Sequence, residues 1–129
     1  MTPELTVLAL AALLQIAQIA LYSVLGQRQV GRRAALRPRD EPVLLTGMAG
    51  RAYRAMNNHF EGLILFGIAV MVVTYADKAD TITAIYALIY LIARILYVPA
   101  YLFGWVPWRS LIWSAGLLAT AAMLIAALT

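Results

Sequence analysis

Arg51, Arg54, Asn58 and Glu61 follow one another at intervals of three and four residues. At about 100° per residue a helix gathers them into an arc of roughly 80°, with Tyr53 on the opposite side. Further along, Tyr86, Tyr90, Arg94, Tyr97 and Tyr101 repeat the pattern, again within an arc of roughly 80°. Groups of these types can hold polar ligands. Arginine forks grip carboxylates in a bidentate manner, and tyrosine joins an apolar ring to a hydroxyl that seeks a partner. Two such stripes facing each other would line one cavity, opening toward the end where Arg51 and Arg109 lie.

The same residues have a plainer reading. Arg54 and Glu61 can serve as glue between helices, and Arg51 as a flanking residue whose head reaches for water. Arg94 fits helix glue as well as it fits a ligand contact. Asn57 and His59 sit off the centre of the stripe. A lone histidine is more often a structural hydrogen-bonder, so His59 is left out of the site. Acidic residues other than Glu61 read as solvated loop groups. There is no Gly-rich phosphate loop, no Ser-His-Asp set and no metal-ligand spacing. There are no cysteines, which excludes disulfides and thiolate chemistry by the protein itself.

The elements that must carry these stripes are apolar. The chain is 64% hydrophobic and 12% charged, against roughly 45–50% and 25% in an ordinary soluble domain. A soluble protein of 129 residues has too much surface per volume to hide that many apolar side chains. The composition therefore predicts an all-α membrane protein, a single domain over 1–129. Its four helices are expected at about 4–26, 49–76, 81–103 and 108–128, each near the length that crosses a core of roughly 30 Å. Ser114, Ala115, Gly116 and Ala119 on the fourth permit close helix contact.

Charge places the helices. Arg28, Arg32, Arg33, Arg37 and Arg39 crowd the first connection, the second carries Asp77, Lys78 and Asp80, and the third ends at Arg109. The positive-inside rule puts the first and third connections in the cytoplasm and both termini outside it. Trp105, Trp108 and Tyr22 fit an interfacial belt on that side. The net charge of +4 is thus topogenic and not a nucleic-acid patch, and part of the first loop can touch anionic headgroups. Glu4 and the long apolar run argue against a signal peptide. The minimal loops point to a bacterial inner membrane.

With those residues in hand, Arg51 to Glu61 resembles the second-helix signature of the MAPEG family, the membrane-associated proteins of eicosanoid and glutathione metabolism. That signature is an arginine, an adjacent alanine, then asparagine and glutamate at +4 and +7: here Arg54, Ala55, Asn58 and Glu61. Arg94, Tyr97 and Tyr101 resemble the third-helix stretch, and Arg109 stands where the family has an arginine opening the fourth helix. The likeness covers nearly the whole chain.

The resemblance implies a homotrimer that binds glutathione as co-substrate between subunits near the cytosolic side. It implies Arg51, Arg54, Asn58, Glu61, Arg94, Tyr97, Tyr101 and Arg33 (or Arg32) as glutathione contacts, and Arg109 as the catalytic residue that stabilises the thiolate. The activity implied is that of a glutathione transferase or peroxidase on hydrophobic small molecules supplied from the bilayer. Two positions depart from the pattern. Many glutathione-active members have an aromatic residue after the glutamate and a proline two further on, where this chain has Gly62 and Ile64. Those departures motivate a second expectation, a non-catalytic scaffold or partner subunit. A polar cavity in a bilayer motivates a third, a small transporter or channel.

Overall fold

A computed structural model describes residues 1–31 and 45–129. Four helices follow in order: α1 (Pro3–Val30), α2 (Gly47–Tyr75), α3 (Thr81–Leu102) and α4 (Trp108–Leu128). All four are long and apolar enough to cross a membrane. The protein is an integral, multi-pass membrane protein of the all-α class. Arg32, Arg33, Arg37 and Arg39, predicted as a topogenic cluster and (for Arg33 or Arg32) as a ligand contact, lie outside the described residues.

The helix ends follow local chemistry. Thr2 caps α1 by accepting from the Leu5 amide, with Pro3 at the first helical position, where its missing N–H is no loss. Asp80 and Thr83 form a reciprocal capping box at the start of α3. α2 ends in a tight turn in which Asp77 has φ 57° and the Lys78 amide returns to the Val73 carbonyl at 2.9 Å. α1 runs past Gly26, where the sequence predicts its end, as far as Val30. An interior glycine weakens a helix by only about 1 kcal/mol and does not stop it. Here Gly26 is buried, and a Cβ there would lie 3.6 Å from Leu45. The break comes at Gly31, whose φ of 84° suits glycine alone. There the Gln29 amide grips both sides of Thr46, accepting from its N–H and donating to its carbonyl, each at 2.8 Å. That clamp ties the end of α1 to the start of α2.

The helices pack so that α2 and α3 touch each other and both outer helices, whereas α1 and α4 lie on opposite flanks without contact among the described residues. The core is built from Val7, Ala11, Phe66, Ala69, Val70, Val73, Ala87, Tyr90, Ala119 and Met123. Phe66 and Tyr90 stack face to face with centroids 3.9 Å apart. Small residues set the α3–α4 distance: a Cβ on Gly116 would meet the Cβ of Ala93 at 3.5 Å. Close approach through small residues is the usual way apolar helices gain packing energy in lipid.

Glu4 departs from the sequence expectation. It is not a solvated loop group but a buried residue in the first turn of α1, 1% exposed. One carboxylate oxygen accepts from the Thr83 hydroxyl at 2.7 Å. The cause is α3, whose capping threonine points its hydroxyl at α1 and gives the acid a partner inside the bundle.

Candidate functional site

The two polar stripes meet, but along a seam and not around one wide cavity. α3 turns its stripe inward: Tyr90, Arg94 and Tyr97 are buried, and Tyr101 is half-buried. α2 turns its stripe outward: Arg51, Arg54 and Glu61 are exposed and Asn58 is half-buried. The α2 face toward the bundle is instead Ala52, Ala55, His59 and Phe66. A stripe at the edge of a helix pair can touch its neighbour only through its long side chains.

Those contacts are specific. Arg51 donates from Nη1 to the Leu102 carbonyl at 3.1 Å, placing a cation at the C-terminal end of α3 where the helix dipole is negative. Arg54 donates from Nε to the Tyr101 hydroxyl at 3.1 Å. The Arg109 guanidinium carbon lies 4.9 Å from the centroid of the same Tyr101 ring, close enough for a cation–π contact. Tyr97 packs beside Tyr101 with centroids 5.6 Å apart. Tyr101 is therefore the point where α2, α3 and α4 converge.

Deeper in the membrane Arg94 takes over. It donates from Nη1 to Asn58 Oδ1 at 3.0 Å and from Nε to His59 Nδ1 at 3.1 Å. Its guanidinium carbon sits 4.7 Å from the Tyr97 centroid. His59, fully buried, reaches the Ala11 carbonyl through Nε2 at 2.9 Å. A guanidinium only donates and a carbonyl only accepts, so His59 must accept at Nδ1 and donate at Nε2. It is a neutral imidazole that straps α1 to α2 and α3.

A model of the MAPEG family matches residues 5–129. The chain belongs to the MAPEG family. No match was found among curated proteins or among solved structures. Membership makes this a membrane protein of the kind found in glutathione and eicosanoid metabolism.

Set against that MAPEG frame, the structure gathers Arg51, Arg54, Asn58, Arg94, Tyr97, Tyr101 and Arg109 along the α2–α3–α4 seam. Glu61 stands apart. It is exposed in the protomer, and Arg54, on the same helix face, bonds Tyr101. Arg94 is 3% exposed and acts within the chain as the support of Asn58.

His59, set aside in the sequence as a structural hydrogen-bonder, has that role in the fold. It shares an arc of roughly 60° with Ala52, Ala55 and Phe66, the small and apolar face that must pack inward. A histidine among alanines on a packing face has to be buried and partnered, and that signal was present beside the more conspicuous stripe. Among the described residues no group of His, Asp or Glu is placed to hold a metal.

Proposed function

We propose that this MAPEG protein is a glutathione-dependent membrane transferase or peroxidase acting on hydrophobic substrates, assembled as a homotrimer with its ligand sites between subunits. The observation that carries the reading is the α2 stripe: three charged side chains, Arg51, Arg54 and Glu61, stand exposed on a membrane-spanning helix. Ionisable groups at membrane depth cost several kcal/mol unless they face a partner or a watery cavity. Another copy of the chain supplies the missing wall, and a polar ligand between the copies pairs the charges.

Glutathione fits the donor set. It offers two carboxylates, an ammonium and a thiol. The guanidinium forks of Arg51 and Arg54 suit the carboxylates, with Arg33 or Arg32 from the first loop as a further cation. The free carboxylate of Glu61 suits the ammonium, and Asn58, Tyr97 and Tyr101 suit the peptide groups. Asn58 arrives pre-oriented, because Arg94 holds its amide oxygen and leaves its NH₂ free to donate. Arg109 lies at the open end of the seam, and a guanidinium near sulfur favours the thiolate, the nucleophilic form. That thiolate would attack an electrophile or a hydroperoxide delivered through the lipid.

The test is calorimetric titration of glutathione into the detergent-solubilised protein, paired with the absorbance of a bound thiolate. Saturable binding with a thiolate signal supports the enzyme. Gly62, which places no ring beside the ligand, favours one other reading, a non-catalytic scaffold or partner subunit. Absence of both signals would replace the first reading with the second.

A further inference from the structure

A small cavity of about 20 Å³ lies where α2, α3 and α4 meet, its lining including Gly62, Leu65, Tyr90, Arg94, Gly116 and Thr120. It exists because of the two glycines. Position 62 has no side chain, and a Cβ there would lie 3.5 Å from the Tyr90 hydroxyl and 3.8 Å from Arg94 Nη1. Position 116 lets α4 close over the same rings, with Tyr90 3.7 Å from where its Cβ would be.

Two polar atoms in this wall have no hydrogen-bond partner among the described residues: the Tyr90 hydroxyl and Arg94 Nη2. Their residues are 2% and 3% exposed, so neither atom is simply facing water. An unmade hydrogen bond on a buried group costs about 1–3 kcal/mol, and more on a charged one. The remaining Arg94 donors reach the neutral His59 ring and the neutral Asn58 amide. Glu61, the chain neighbour of Gly62, is exposed and is not among the Arg94 acceptors, which are His59 and Asn58. Among the described residues the guanidinium is therefore buried with three neutral neighbours, counting the Tyr97 ring, and no countercharge.

The volume sets the size of what completes the site. A single water needs roughly 10–15 Å³ on this measure, so the space takes one small group. A water would accept from either donor but leave the guanidinium uncompensated at membrane depth, where charge is paired or reaches a cavity. A small anion accepts from both donors and supplies the countercharge.

We infer that the pocket between Gly62, Tyr90, Arg94 and Gly116 is a binding site for a small monovalent anion, halide or formate in size, that neutralises Arg94 and locks α2, α3 and α4 together. The site requires no glutathione, and it can be tested in its absence.

The experiment follows thermal unfolding of the detergent-solubilised protein in sodium chloride, bromide or formate, against sodium gluconate at equal ionic strength. Chloride NMR line broadening reports binding directly. The small anions should raise Tm saturably and chloride should broaden in a manner bromide competes away, whereas gluconate, too large for the cavity, should do neither. Tyr90→Phe keeps the ring that stacks on Phe66 and removes one donor. It should weaken the half-saturating anion concentration by about tenfold, the scale of one hydrogen bond to a charged group, while the protein stays folded in gluconate. Gly62→Leu should fill the cavity and abolish the anion effect. Identical Tm in all four salts with no line broadening would overturn the proposal in favour of a bound water. Glu61→Gln should leave the anion dependence unchanged, and an anion effect that appears only in that variant would overturn it in favour of Glu61 as the native occupant.

Discussion

Arg94 donates from Nε to His59 Nδ1 at 3.1 Å, and this contact joins the α2–α3–α4 seam to the opposite flank of the bundle. Through His59 the guanidinium is tied to the Ala11 carbonyl of α1, and through Nη1 to Asn58. His59→Ala should leave Arg94 Nε without an acceptor in the membrane. The expected loss is about 2–3 kcal/mol, the scale of a hydrogen bond to a charged group plus the cost of an unsatisfied one. It should appear as a lower Tm in detergent, accompanied by weaker glutathione binding because Asn58 is no longer held. His59→Gln, whose amide can both accept and donate, should recover part of each loss. A His59→Ala protein with the parent's Tm would show that the strap carries no stability.

What the sequence reveals here depends on whether a signal is periodic. The four spans were legible because each is a long apolar run, and both stripes were legible because polar residues on such runs are rare. The seam was legible as a set of residues but not as a shape. Periodicity groups Arg54 with Glu61 on one face, yet it cannot say that this face lies at the edge of the protomer, exposed. Nor could it anticipate Glu4, whose burial depends on Thr83 arriving from α3, a contact seventy-nine positions away in the chain. Gly26 misled for a related reason: in isolation it reads as a breaker, and only the contact with Leu45 shows it as a packing residue.

Two glycines should respond differently to alanine. A Cβ at Gly50 would stand 2.6 Å from the Leu45 carbonyl oxygen, a backbone atom, so Gly50→Ala must displace the start of α2. A Cβ at Gly116 would meet its neighbours at 3.5 Å or more, ordinary van der Waals contact. Overpacking costs typically about 1–3 kcal/mol. Gly50→Ala should therefore lower Tm, and Gly116→Ala should be close to neutral, whereas Gly116→Leu should separate α3 from α4 and destabilise strongly. Thermal unfolding of the three variants side by side decides the matter, and equal effects of the two alanines would contradict the close approach at Gly50.

The exposed α2 stripe makes a statement about assembly. Arg54, Asn57 and Glu61 lie on the surface of the protomer within a span predicted to sit in lipid. The proposed trimer places this face of each chain against its neighbours. Native mass spectrometry from mild detergent should show three copies, and Arg54→Leu, which removes a charge the interface must pair, should shift the distribution. A purely monomeric spectrum for the parent would count against intersubunit sites.

Sidedness follows from charge and can be read separately. The basic first connection and Arg109 are expected in the cytoplasm with both termini outside it. A reporter that works only outside the cytoplasm should be active when fused after Thr129. Activity of a cytoplasm-only reporter at that position would invert the topology and move the site to the other face.

Arg109 and Glu61 separate chemistry from binding. Glu61 is exposed in the protomer, so Glu61→Gln leaves no buried cation unpaired within the chain, contrary to what a paired carboxylate would predict. Its effect should fall on the ligand. Losing a charge-assisted bond to the glutathione ammonium is worth about 1.5–3 kcal/mol, or roughly 10- to 100-fold in affinity, with Tm of the unliganded protein nearly unchanged. Arg109 is half-buried, its guanidinium resting over Tyr101 near the end of the seam. Its proposed work is on the thiol. A nearby cation stabilises thiolate relative to thiol, and each unit by which it lowers the thiol's pKa is about 1.4 kcal/mol. Arg109→Ala removes that preference, so the bound thiol holds its proton to higher pH. At neutral pH a smaller share of bound glutathione is then in the reactive form. Turnover should fall, the rate profile should move to higher pH, and the glutathione dissociation constant should change little. Raising the pH should restore much of the lost rate in the variant, a recovery that a merely structural defect would not give. Should Arg109→Ala match the parent's rate at every pH, the thiolate role would pass to another of the seam's cations, and Arg54→Gln, measured in the same assay, would be the next to examine.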